Sequence, residues 1–145
     1  MQPMGLAYIA GMTRKIISTK IIDANILRKN YDWITDIIKL ENPKIVLGGF
    51  APPTITHDLQ LGQYVKNNSN AIFGIWGPVP YNIKDKLFDM YPELDFIIEN
   101  EPEFTMEEIA KNLKMKKDIF KNVKGVTYRY QNKIIDNGLR PLEKN

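Results

Sequence analysis

Apolar positions along this chain follow two rhythms in turn. One recurs at three and four residues, as in a helix; the other is a short continuous run, as in a buried strand. The first stretch, MQPMGLAYIAG, already reads as helix: Leu6, Ile9 and Ala10 share a face, and no strand precedes them. The spacing predicts a helix over Gly5–Lys15, then a short strand over Thr19–Ala24 with Asp-Ala-Asn as its exit loop. A second helix is predicted over Asp32–Leu40, capped by Asp32 and stopped by Asn42-Pro43. Lys44–Leu47 reads as a buried strand entering Gly48-Gly49, and Thr56–Lys66 as the next helix. Ala71–Ile75 is a strand closed by Trp76-Gly77-Pro78, Ile83–Tyr91 a helix ending before Pro92, and Asp95–Ile98 a strand. Thr105–Leu113 opens like a capping box, with Glu107 and Glu108 at its positive end. Val126–Tyr130 and Lys133–Ile135 flank Gln131-Asn132 as a hairpin. The polar tail, Gly138–Asn145, reads as loose.

Short apolar strands alternating with helices imply an α/β fold: a doubly wound parallel sheet of Rossmann or flavodoxin type in three α/β/α layers, here with a C-terminal β-hairpin. Right-handed crossovers put the loops after the strands on one edge, where ligands bind in such folds. Those loops are Asp23–Asn25, Gly48–Thr56, Trp76–Tyr81 and Glu99–Thr105. Two domain segments follow: 1–123 as the α/β domain, and 124–145 as hairpin and tail.

Composition narrows the chemistry. Among 145 residues there is no cysteine and one histidine, His57, so thiolate metal sites, iron–sulfur clusters, cysteine nucleophiles and multi-histidine centres have no ligands. Twenty basic residues against 17 acidic give a net charge of +3, too mild to call for nucleic acid. No apolar run approaches the roughly 20 residues of a membrane span, and the N-terminus lacks the marks of a signal peptide, so the expected location is cytoplasmic.

The edge loops each carry two readings. Gly48-Gly49 would let backbone approach a ligand, or simply make a tight strand-to-helix turn. Trp76-Gly77-Pro78 offers an aromatic wall beside open backbone, or a Trp capping the sheet edge. Neither loop has a GxGxxG or P-loop pattern. His57 reads as a solvent-facing first-turn residue. Glu99, Glu101 and Glu103 alternate along an extended segment, as a carboxylate patch with raised pKa values or as a solvated edge. The lysines at 111, 114, 116, 117, 121 and 124 read as a solvated face; without an aromatic platform they are a weak case for RNA. No Ser–His–Asp or HExxH constellation is present, so no catalytic residue is assigned.

The order of several soft motifs resembles one family. Pro3-Met4-Gly5-Leu6-Ala7-Tyr8-Ile9-Ala10, Ile22-Asp23-Ala24, Pro43-Lys44-Ile45-Val46, Gly77, and Asp95 to Thr105 (DFIIENEPEFT) are similar to the N-terminal cobalamin (vitamin B12)-binding domain of cobalamin-dependent radical S-adenosylmethionine enzymes. That family carries PPLGLAYLA, an exit-loop Asp-Ala and GEGExT in the same order. Val123–Arg129 and Asn137–Pro141 resemble its passage toward the radical domain. The resemblance implies cobalamin as cofactor and a radical S-adenosylmethionine domain as partner. It implies cofactor-binding residues Gly5, Asp23, Gly48, Gly49, Phe50, Trp76, Gly77 and Glu101.

Three departures qualify what the resemblance implies. The family's cobalt-ligating His of DxHxxG falls on Gln2, and an amide is a poor ligand beside imidazole. Asn100 and Pro102 replace glycines of GEGE. The radical domain and its three cysteines are absent, so the chain is not catalytic alone. The family's first, central strand precedes the helix with which this chain begins. Its loss implies a gap in the sheet, closed by rearrangement or by a strand from a second copy in a homodimer. The rival to a cofactor domain is a cofactor-free protein-interaction module of the same fold.

Overall fold

The computed structural model describes residues 4–49, 51–79 and 81–142. In chain order the elements are α1 (Met4–Thr13), α2 (Tyr31–Glu41), β1 (Ile45–Gly49), α3 (Ile55–Asn68), β2 (Ile72–Trp76), α4 (Lys84–Met90), β3 (Phe96–Ile98), α5 (Pro102–Lys114), β4 (Val126–Tyr130) and β5 (Lys133–Asp136). They form one five-stranded sheet in the order β1-β2-β3-β4-β5. The first three strands are parallel, and the hairpin joins antiparallel to β3. The α/β class and the C-terminal hairpin are as expected; the hairpin makes the sheet mixed.

Alternation along each strand builds two cores. Val46, Phe73, Ile75, Ile97 and Ile134 face one side, under α2, α3 and α4. Ile45, Leu47, Ile72, Phe96, Ile98, Val126 and Tyr128 face the other, under α1 and α5. Consecutive strand order with right-handed crossovers requires α3 and α4 to share a face. Asp95 ties three strands: its carboxylate accepts from the Phe73 N–H at 2.8 Å and pairs with Lys66, while its carbonyl accepts from Arg129 N–H at 2.8 Å.

Five expectations are corrected. Thr19–Ala24 is not a strand. A strand needs a neighbour for its backbone groups, and the ladders leave this segment none; the Asp23 carbonyl and carboxylate instead open a turn, accepting from Leu27 and Ile26 N–H. The sheet accordingly shows no gap: its five strands are contiguous. Asn30, not Asp32, caps α2, its side chain accepting from Trp33 N–H at 3.1 Å. Thr105 does not start α5. Pro102, whose fixed φ suits a first helical turn, starts it three residues earlier, and Thr105 is fully buried. The tail is not loose up to Arg140: the Gly138 carbonyl accepts from Gly125 N–H, and Arg140 donates to Thr105 Oγ1 at 3.0 Å and to Glu108 at 2.5 Å. No helix among the described residues is long and apolar enough to cross a membrane.

Two glycines give opposite predictions. A Cβ at Gly74, mid-β2, would lie 2.3 Å from the Phe96 ring. Gly74→Ala is expected to cost about 1–3 kcal/mol by overpacking. Nothing lies within 4 Å of a Cβ at Gly11 in α1, so Gly11→Ala should stabilise by up to about 1 kcal/mol. Urea unfolding should show the two midpoints moving in opposite directions at an unchanged m-value.

Candidate functional site at the C-terminal edge of the sheet

Parallel strands β1 to β3 end together at Gly49, Trp76 and Ile98. The Trp76 indole dominates this edge. It lies between α1 and β1: a Cβ at Gly5 would stand 2.2 Å from its Cη2, and one at Gly49 would stand 3.0 Å from its Nε1. The two glycines thus make room for the ring itself. Its Nε1 is buried and has no hydrogen-bond partner among the described residues, together with Thr35 Oγ1 on α2. An unmet buried donor is uncommon and costs about 1–3 kcal/mol.

Beside the ring lies a cavity of about 210 Å³ lined by Trp76, Gly77, Pro78, Ile98, Asn100 and Pro102. Its rim is conformationally strained. Asn100 and Glu101 take left-handed φ values of 44° and 33°, and no side chain caps α5. Side chains rarely adopt that region, and such strain concentrates at binding sites.

A buried ion network braces the same edge from the other face. Lys84 on α4, with its side chain 5% exposed, donates to Glu99 at 2.7 Å and to Asp136 at 2.8 Å. Thr127 Oγ1 stands 3.3 Å from its Nζ. Burial opposes the Lys84 charge, but the hydrogen bonds to Asp136 and Glu99 outweigh it and hold the ammonium above its usual 10.5. Burial likewise pushes the Asp136 carboxyl up, and the bonds from Lys84 and Gly138 N–H outweigh it, holding the group below 3.8. The carboxylate patch, one of the two readings of this run, is therefore not formed: Glu99 is paired, Glu101 precedes α5, and Glu103 lies in its first turn.

No family model matches the chain. An uncharacterized methyltransferase of Pyrococcus horikoshii is 30% identical over 145 residues, spanning 99% of this chain and 31% of its own length. Two solved structures of the cobalamin-dependent S-adenosylmethionine radical enzyme OxsB share the fold. The form with aqua-cobalamin bound superposes with a TM-score of 0.77 at 17% identity, over 97% of this chain and 20% of OxsB. The apo form gives 0.72 at 18% identity, over 95% of this chain and again 20% of OxsB. The chain thus spans about a third of the methyltransferase and a fifth of OxsB.

The structure brings Gly5, Gly48, Gly49, Trp76, Gly77 and Glu101 to this edge, Gly5 and Gly49 directly against Trp76. Asp23 is engaged in its own turn. Phe50 and Gln2 lie outside the described residues. His57 is exposed, its ring 5.1 Å from Tyr31. The lysines from 111 to 124 are exposed, with Lys111 paired to Glu107 and Lys124 donating to the Asn137 carbonyl. Ile98 had been named only as a strand end and Asn100 only as a departure from a family glycine, and the Lys84 network had not been singled out. For Lys84 a signal existed: it shares its helical phase with buried Leu87 and Phe88.

The residues fit the edge of a large planar cofactor rather than the whole of one. Site cavities for drug-sized ligands run about 300–1,000 Å³, so this one would take a part, against the Trp76 ring with Gly77 and Asn100 in its lining. The space between Gly5 and Gly49 becomes available only if the Trp76 ring turns.

Replacing Lys84 with methionine strands two carboxylates, one of them nearly buried, and should cost about 3–5 kcal/mol. The signs for pH follow. The Asp136 contribution is complete above its unfolded value and is lost as pH falls below about 4 toward its lowered folded value. The Lys84 contribution is complete below its unfolded value and is lost as pH rises beyond about 10.5. Urea midpoints across pH should show both losses in the parent protein and neither in Lys84→Met.

Proposed function

We propose that this chain is a cobalamin-binding-like domain of a radical S-adenosylmethionine enzyme of methyltransferase type, not catalytic by itself. The observation that carries the reading is the cavity at the end of the parallel strands lined by Trp76, Gly77, Pro78, Ile98, Asn100 and Pro102; beside it the Trp76 indole N–H, unpartnered among the described residues, is buried against Gly49. The likeness in fold to OxsB with aqua-cobalamin bound, over 97% of the chain, supports it. So does the likeness in sequence to a methyltransferase. In this reading Trp76, Gly77, Pro78, Ile98, Asn100 and Pro102 hold one margin of the cofactor, and Gly48 and Gly49 offer backbone beside it. Bound cobalamin supplies methyl-transfer chemistry. The protein orients it, shields it from water and presents it to a radical domain. Residues 1–123 would form the cofactor domain and 124–145 the hairpin and tail leading toward that partner. A cobalt ligand from this chain is not part of the reading.

One observation favours the rival module without cofactor: the Trp76 ring already fills the space between Gly5 and Gly49.

Titration with hydroxocobalamin, followed by gel filtration, separates the two. The proposal expects a coloured complex with one cofactor per chain and a change in tryptophan fluorescence. Trp76→Phe keeps an aromatic side chain but removes the donor and part of the indole, so it should weaken binding about two- to tenfold. A folded protein that retains no colour would overturn the proposal and leave the interaction module.

A further inference from the structure

We propose that the surface beyond the C-terminal end of α5 binds single-stranded nucleic acid, with one base seated in a cavity beside β4 and the phosphates held by the lysines around it. The cavity, about 220 Å³, is lined by Asp118, Lys121, Tyr128, Tyr130 and Ile135. The loop after α5 supplies Asp118 and Lys121. Tyr128 and Tyr130, two apart on β4, share a face, and Ile135 on β5 is the ladder partner of Tyr128. The Phe120 ring lies 5.0 Å from both Phe96 and Tyr128, so an aromatic row leads out of the core to the cavity wall.

The polar groups of this cavity are not satisfied by the protein. Tyr128 is only 6% exposed, yet its hydroxyl has no hydrogen-bond partner among the described residues. A buried hydroxyl normally has one. Burial, then Asp118 and Tyr130, pushes this phenol above its usual 10.0, so it stays neutral and able to donate. Tyr130, 48% exposed, offers a ring on which a base can stack. Asp118 Oδ1 accepts from the Phe120 and Lys121 N–H groups, both at 3.2 Å, which braces the loop. Its second oxygen is left to accept from the exocyclic amino group of a base.

Charge selects the ligand. Residues 111–124 hold six of the chain's 20 basic residues and one of its 17 acidic ones, Asp118. The remainder is slightly acidic, so the positive balance is concentrated here, on exposed side chains. Lys111 and Lys114 close the last turn of α5, where cations complement the helix dipole. That account does not extend to Lys116, Lys117 and Lys121, which lie beyond the helix without an ion-pair partner among the described residues. Lys133, also exposed, stands opposite Tyr130 in the hairpin ladder. The lysine run has no aromatic platform of its own in sequence; folding of the hairpin brings Tyr128 and Tyr130 to Lys121. The cavity is smaller than the roughly 300–1,000 Å³ of drug-sized sites, which suits one base with its phosphates outside. This site lies past the opposite end of α5 from Pro102 and the edge cavity, so it stands or falls separately from the cobalamin reading.

Fluorescence anisotropy of short labelled cytidine strands, RNA and DNA, tests the proposal at about 50 and about 200 mM salt. Binding is expected at the lower salt and should weaken about twentyfold at the higher, the loss for about three phosphate contacts. Lys121→Gln should weaken binding and reduce that salt effect to about sevenfold. Tyr130→Ala, at an exposed position, should weaken binding at least about fivefold with the salt effect unchanged. Tyr128→Phe keeps the ring and removes the hydroxyl, and should cost at least about twofold. Lys39→Gln, on α2 across the sheet, should change nothing. Tighter binding of RNA than DNA assigns the site to RNA, and equal binding assigns it to single strands of either sugar. No binding at the lower salt would overturn the proposal. So would binding that Tyr130→Ala and Tyr128→Phe leave unchanged, or that Lys39→Gln weakens as much as Lys121→Gln, since either reduces the face to unspecific attraction. Polyglutamate bound as tightly as the strands would overturn it in favour of an acidic protein.

Discussion

The Lys84 ammonium is the point at which the two halves of this molecule are joined. It starts α4, on the parallel half, and reaches Glu99 at the end of β3 and Asp136 on the last strand, with Thr127 alongside. A buried cation is tolerable only when its partners outweigh lost hydration. Here the partners come from three separate elements, so the charge is satisfied only when β3, β4 and β5 are all in place. That couples the hairpin to the β-α-β core. It also fixes the segment from Glu99 to Pro102, the rim of the candidate site, from below.

Above that rim the packing is organised around one aromatic ring. Gly5 and Gly49 are accommodating positions, and what they accommodate is Trp76. The arrangement leaves a polar atom unmet and places two left-handed residues, Asn100 and Glu101, beside the adjoining cavity. A core with no role beyond stability would be expected to satisfy the donor and relax the turn. Here both irregularities fall at the end of the parallel strands, where α/β sheets bind ligands. The fold is shared with OxsB over 97% of the chain, and the local strain falls at the strand-end edge.

The opposite lateral edge raises a different physical problem. An apolar strand with one unpaired side is an association hazard unless something covers it. The chain between α1 and α2 passes that edge without pairing with it.

The alternating order of apolar runs and helical faces was enough to establish the α/β class, the hairpin, and strands over Lys44–Leu47, Ala71–Ile75 and Asp95–Ile98, which the structure has at Ile45–Gly49, Ile72–Trp76 and Phe96–Ile98. Each of those signals is local: periodicity, a proline, a turn pair. Thr19–Ala24 carried the same local signal and failed, because strand formation depends on a neighbour that local pattern cannot supply. Thr105 looked like a cap and became a buried tie, because Pro102 began the helix first. The glycine-rich loops correctly drew attention to the edge, but which atoms occupy the space they open was decided by Trp76, from another strand. The ion network joins residues 84, 99, 127 and 136, whose separations have no period to read. The sequence by itself determined the type of most elements and which of their faces are apolar, since those follow from local pattern. Only the tertiary structure decided where the buried charge found its partners, where the indole lay, and which strand was left with an open side, because each depends on contacts between elements distant in the chain.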